Sequence, residues 1–96
     1  MMRTELVQKM VERVKWMSPV HYEILDFYDS HDIWISPRDL AKNIDYDNRY
    51  VSRECKKLVK AGLLRQEGQT YQLTEMGQRF LTGDFDTEDL EDPNNE

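Results

Sequence analysis

Residues 45–65, DYDNRYVSRECKKLVKAGLLR, place six basic side chains (Arg49, Arg53, Lys56, Lys57, Lys60 and Arg65) in one short stretch. Through the same stretch Val51, Cys55, Leu58 and Val59 fall at i, i+4, i+7 and i+8, the spacing of one face of an α-helix. Such a helix must seat its apolar face on a core and turn a cationic, polar face away from it. Asp47 is the expected N-cap, and Gly62 suits the left-handed position just beyond the C-terminus. The outward set Asn48, Arg49, Ser52 and Arg53 consists of side-chain types that bind phosphates and base edges.

The rest of the chain supplies elements for that helix to pack against. Leu6, Met10, Val14 and Met17, widened by Val7 and Val11, form an apolar stripe that predicts an amphipathic helix over 4–17. Ser18-Pro19 starts a second helix reaching about Ser30, with Val20, Ile24, Leu25, Phe27 and Tyr28 inward and Tyr22 and Glu23 nearer the rim. Ile33-Trp34-Ile35 reads as a short strand able to pair with a later one. Ser36-Pro37 repeats the start signal, and Asp39 completes a capping-box-like S-x-x-D before a helix through Leu40, Ala41 and Ile44. After the turn at 45–47 and the basic helix, residues 63–66 and 70–73 flank a Glu67-Gly68-Gln69 turn as a hairpin. Thr74 caps a last short helix with Met76, Phe80 and Leu81 inward, closed by Gly83. This order is α+β, mostly α. It is that of a winged helix-turn-helix domain (residues 18–83) with an extra N-terminal amphipathic helix (residues 1–17) and an acidic tail over 84–96, expected to be disordered.

A net charge of −6 argues against a polyanionic partner until its distribution is considered. Seven of the nineteen acids lie in the last thirteen residues, leaving 13 basic against 12 acidic groups in residues 1–83. Residues 48–65 hold six basic groups against Glu54 alone, and the local potential is what a polyanion meets. One cysteine excludes an internal disulfide, and Cys55 falls on the apolar face as a core filler. Trp16 and Trp34 sit within apolar patterns, which predicts core or interface burial. His21 and His31 have no clustered ligands around them, so no metal or other cofactor is expected. Neither a leader peptide nor an apolar run of membrane-spanning length is evident, which predicts a cytoplasmic protein. No nucleophile–base pair, phosphate loop or carboxylate dyad points to an enzyme, and no small-molecule ligand is evident.

Three strings carry a family resemblance: W-M-S-P-V…I-L-D-F at 16–27, SPRDLAKNIDYDNRYVSRECKKLVKAGLL at 36–64 and YQLTEMGQRFLTGDFD at 71–86. In order and spacing they resemble the small winged-helix repressor-type regulators of halophilic archaea, including the phage repressors of that group. The most telling parts are Y-V-S-R at 50–53, A-G-L-L at 61–64 and Y-x-L-T-x-x-G at 71–77. Two departures stand out: Cys55 replaces a larger aliphatic residue, and Val20-His21-Tyr22 replaces an acidic pair. The resemblance implies sequence-specific regulation of transcription, with the Y-V-S-R helix reading double-stranded DNA. A halophilic origin also fits the acid-rich composition.

The candidate DNA-binding residues are then Ser36, Arg38, Asn48, Arg49, Tyr50, Ser52, Arg53, Lys56, Lys57 and Gln69. Asn48, Arg49, Ser52 and Arg53 are assigned to base edges or neighbouring phosphates, and Lys56, Lys57 and Lys60 to the flanking backbone. Several of these have a structural alternative. The alternative for the basic face is a solvated face, for Ser36 a plain helix cap, and for Tyr50 a packing residue beneath its helix. The stripe Leu6, Val7, Met10, Val14 and Met17 either covers its own domain or joins two copies, and homodimers of this class bind two half-sites. The expected function is a DNA-binding transcriptional repressor acting as a homodimer. The alternative is a winged-helix protein-interaction module within a larger assembly.

Overall fold

The computed structural model of the protein describes residues 16–83. Among them four helices and one antiparallel hairpin follow in the order α1 (Pro19–Asp29), α2 (Pro37–Ile44), α3 (Asn48–Lys60), β1 (Leu64–Glu67), β2 (Thr70–Leu73) and α4 (Glu75–Thr82). The helix expected over 4–17 lies outside the described residues apart from its last two, and the 84–96 tail lies outside them entirely.

Three of the four described helices start at a side-chain cap. Ser36 Oγ accepts the Asp39 N–H at 3.2 Å, Asp47 Oδ2 the Tyr50 N–H at 3.1 Å, and Thr74 Oγ1 the Gly77 N–H at 3.0 Å. These bonds satisfy amide donors that no preceding helical turn can reach. The end of α3 is equally local in origin. Gly62 takes φ +87°, a conformation that costs L-residues energy, and the chain then turns into β1.

The core gathers one apolar face from every element: Ile24 and Leu25 from α1, Leu40 from α2, Val51, Cys55 and Leu58 from α3, Leu64 and Tyr71 from the hairpin, and Phe80 and Leu81 from α4. Burying a large aliphatic or aromatic side chain contributes about 1.5–3 kcal/mol, so this shared core holds the helices in place. Met17, which the sequence groups with the N-terminal stripe, is buried in this same core.

A buried hydrogen bond joins α1 to the hairpin, from Tyr28 Oη to the Tyr71 carbonyl at 2.7 Å. Burial raises the Tyr28 pKa, so the phenol stays a donor across the physiological range. The Tyr71 carbonyl also accepts the Ile35 N–H at 3.0 Å. Tyr28→Phe therefore removes one bond without orphaning its acceptor, and is expected to lower the unfolding free energy by about 1 kcal/mol. The midpoint of a urea titration reads this directly.

Four expectations need correction. Tyr22 is 2 % exposed rather than at the rim of α1. Met76 is 40 % exposed rather than inward, and Gly77 takes the buried position beside it. The 33–35 run does pair with a later strand, at Ile35 through one isolated bridge to Tyr71, but it does not extend into a strand of its own. Trp34 is 37 % exposed and stands against Arg65, whose guanidinium carbon lies 5.1 Å from the indole centroid.

Candidate nucleic-acid interface

The link from α2 to α3 decides which face of the basic helix is presented. Asp45 closes α2 in the left-handed region at φ 62°, which a short polar side chain tolerates better than most. The Tyr46 N–H returns to the Ala41 carbonyl at 3.0 Å, and Asp47 then caps α3. This is a helix-turn-helix with a three-residue turn, and the packed faces of α2 and α3 fix the angle between them.

Two polar stripes run along α3. Asn48, Ser52 and Lys56, at i, i+4 and i+8, line an open cleft of about 320 Å³. Its other walls are Ser36, Pro37 and Arg38 at the start of α2 and Gln66, Gln69 and Tyr71 from the hairpin. Arg49 and Arg53 form the neighbouring stripe and are exposed. Among the described residues, no acid pairs with Arg38, Arg49 or Lys56.

Six of the ten candidate residues (Ser36, Arg38, Asn48, Ser52, Lys56 and Gln69) thus meet around one cleft, drawn from three elements. The other four do not line it. Arg49 and Arg53 lie on the adjacent stripe, Lys57 reaches toward Glu54, and Tyr50 is half-buried against the core with its ring 6.1 Å from that of Tyr46. Arg65, the cation of the hairpin, also points elsewhere. It donates from Nε to Gln72 Oε1 at 3.0 Å and lies against Trp34, on the sheet face opposite Gln66 and Tyr71.

Glu54, the one acid among the cations, is 3 % exposed. Its Oε1 accepts from His21 Nε2 at 2.8 Å and lies 3.4 Å from Lys57 Nζ, while Oε2 accepts from Arg53 Nε at 3.1 Å. His21, 2 % exposed, receives the Ser18 backbone N–H on Nδ1 at 2.9 Å. A backbone amide can only donate, so Nδ1 must carry the lone pair and Nε2 the proton. That tautomer makes His21 neutral with both nitrogens satisfied. Desolvation accordingly lowers its pKa, and the opposing pull of Glu54 does not overcome it. For Glu54, burial raises the pKa, but the Arg53 hydrogen bond together with the His21 and Lys57 contributions outweighs it, and the net direction is down.

Gln66 and the His21–Glu54 pair escaped the sequence reading. A signal for the pair was present. Glu54 lies three residues after Val51 and four before Leu58, on the flank of the apolar face, and His21 lies three and four residues before Ile24 and Leu25. Two polar residues on converging apolar faces are candidates for each other's partner.

A helix-turn-helix with an exposed basic second helix, followed by a two-stranded wing that walls the same cleft, defines a winged helix-turn-helix protein. No solved structure matches the chain. Sequence comparison takes the assignment further: the family model for the winged helix-turn-helix phage repressor matches residues 10–93, and the chain belongs to that family. A relative, the repressor protein of Halobacterium phage phiH, is 32 % identical over 87 residues, covering 85 % of this chain and 98 % of that protein. The family is a class of DNA-binding regulators rather than of enzymes. Among the described residues, no helix is long and apolar enough to cross a membrane.

Proposed function

We propose that this protein is a sequence-specific, double-stranded DNA-binding transcriptional repressor that acts as a homodimer. The observation that carries the reading is the cleft between α3 and the wing, where Ser36, Arg38, Asn48, Ser52, Lys56 and Gln69 converge. Seated in a major groove, α3 presents two classes of side chain. Asn48, Arg49, Ser52 and Arg53, nearer its N-terminus, reach base edges, while Lys56 and Lys57 and the start of α2 hold the flanking phosphates. Residues 18–83 form the DNA-binding domain. The N-terminal stripe Leu6, Val7, Met10 and Val14 joins two copies, and residues 84–96 are a solvating acidic tail. The protein works in the cytoplasm of an archaeal host, and it represses by occupying its site.

Fluorescence anisotropy tests this with duplexes enriched from a randomised pool by the protein itself, at several salt concentrations. Arg49→Ala is expected to lose about tenfold or more in discrimination between the enriched duplex and a scrambled one. Lys56→Ala is expected to weaken both duplexes alike and to reduce the salt slope by about one. A wild-type protein that enriches no sequence, and binds only weakly and nonspecifically, would favour the interaction-module alternative. Sedimentation at the same concentrations tests the dimer.

A further inference from the structure

We infer that Glu54, held in place by His21, is a positioning residue that sets the direction of the Arg53 guanidinium on the reading face of α3. The inference rests on the DNA-binding reading above. It concerns how one reading side chain is prepared before DNA arrives.

The Arg53 side chain is 68 % exposed, a setting in which arginine ordinarily samples many rotamers. Two contacts restrain it here. Glu54 Oε2 accepts its Nε–H at 3.1 Å, and the guanidinium carbon lies 5.3 Å from the centroid of the Tyr50 ring. Tyr50 is itself packed against the core, one helical turn before Arg53. The carboxylate bond engages Nε, which leaves the terminal Nη1–Nη2 edge as the pair of parallel donors available to a ligand. A guanine base edge, with O6 and N7 acceptors, fits such a pair.

Glu54 can act this way because its own position is fixed from behind. His21 Nε2 donates to Oε1 at 2.8 Å, and the Ser18 N–H fixes the tautomer that makes this possible. The Trp16 ring packs against the imidazole in a T-shaped arrangement at a centroid distance of 5.4 Å. The contacts along Ser18, His21, Glu54 and Arg53 therefore form one series, joined by Lys57 at Oε1, that runs from the entrance of α1 to the exposed face of α3. A leucine at position 54 would cover the core and leave α3 more cationic, so bulk attraction to phosphate is poorly served by a buried acid there. Orientation of Arg53 is the effect that this acid does serve.

The test uses the full chain and the duplex that wild-type protein enriches from a randomised pool. Wild type, Arg53→Ala, Glu54→Gln and the double variant are titrated on that duplex, on single-base-pair variants of it and on a scrambled duplex, after thermal melts establish that each is folded. Glu54→Gln is expected to lose about two- to tenfold in discrimination, at the base pairs where Arg53→Ala loses it, and the double variant should lose no more than Arg53→Ala. Binding to scrambled DNA should hold or tighten, with a steeper salt slope, because Arg53 and Lys57 are released to phosphates. A folded Glu54→Gln that discriminates like wild type, or that weakens on both duplexes equally, overturns the inference. A second measurement needs no DNA. In the ¹⁵N spectrum of the free wild-type protein the Arg53 Nε–H should exchange more slowly than that of Arg49, and the difference should vanish in Glu54→Gln. Equal exchange in the wild type overturns the inference whatever the protein binds. A slow Arg53 Nε–H in a protein that enriches no duplex would instead overturn the DNA-binding reading.

Discussion

Gly77→Ala is expected to lower the unfolding free energy by about 3 kcal/mol or more, read as a fall in the urea midpoint at unchanged slope. On helix propensity alone the same substitution should stabilise the protein by about 0.5–1 kcal/mol, so even the sign is diagnostic. The reversal comes from how closely α4 approaches the start of the wing. A Cβ at position 77 would lie 2.4 Å from the Leu63 carbonyl oxygen and 2.5 Å from Leu73 Cδ1. The carbonyl cannot swing aside cheaply, because it accepts the Thr74 N–H at 3.0 Å, and the Thr74 hydroxyl, 3.1 Å from it, holds the adjoining Gly62 carbonyl at 2.6 Å. Thr74 in turn caps α4 through the Gly77 N–H. Any shift that admits a methyl group therefore strains the cap, the strand end and the helix together. This also gives a physical reason for the L-T-x-x-G spacing: threonine caps the helix, and only glycine lets its first turn rest on backbone.

The second large effect concerns the His21–Glu54 pair. His21→Leu keeps the bulk but removes the donor to Glu54 Oε1 and the acceptor of the Ser18 N–H, at an expected cost of about 2–3 kcal/mol at pH 8. Arg53 and Lys57 still face Glu54, so the carboxylate keeps both of its cationic partners. The same pair makes the fold sensitive to acid. His21 has a folded-state pKa below its ordinary 6.5, so the unfolded chain binds more protons in that range, and stability is lost as the pH falls below about 6.5. Glu54 is also shifted down, from 4.5, so its contribution is complete above that value and is lost as the pH falls further, through its folded-state pKa. Melting temperature against pH should therefore fall in two stages for the wild type. In His21→Leu the upper stage, beginning near pH 6.5, should be reduced. A wild-type melting temperature flat from pH 7 down to 5 would contradict the neutral, desolvated imidazole.

Much of the frame could be read from local chemistry. Ser36, Asp47 and Thr74 cap helices because a short side-chain oxygen next to a helix start finds unpaired amides whatever the rest of the chain does. The apolar face of α3 was equally plain, since Val51, Cys55 and Leu58 all reach the core that their spacing predicts. Residues whose environment depends on a remote segment were harder to place. Met76 looked inward by helical spacing, yet the close seating of α4 on Leu63 gives the inner position to Gly77. Trp34 looked buried by its apolar neighbours, yet it is 37 % exposed and lies against the guanidinium of Arg65.

The candidate site divides along the same line. That Asn48, Ser52 and Lys56 share a stripe follows from 3.6 residues per turn, a property of α3 alone. That this stripe faces Ser36, Arg38 and Gln69 across one cleft depends on the left-handed Asp45 turn and on where the wing folds back, and only the packed core determines both. Charge followed the same pattern. Composition counts Glu54 as one unit subtracted from a cationic helix, whereas tertiary structure buries it between α1 and α3, where it binds Arg53 and Lys57 and meets the imidazole of a residue 33 positions away. Sequence by itself determined the four described helices and the hairpin, the caps at Ser36, Asp47 and Thr74 and which helix is basic, because those depend on neighbours within a turn or two. The pairing of buried polar groups and the direction of each exposed cation depend on contacts between segments distant in the chain, and only folding brings those segments together.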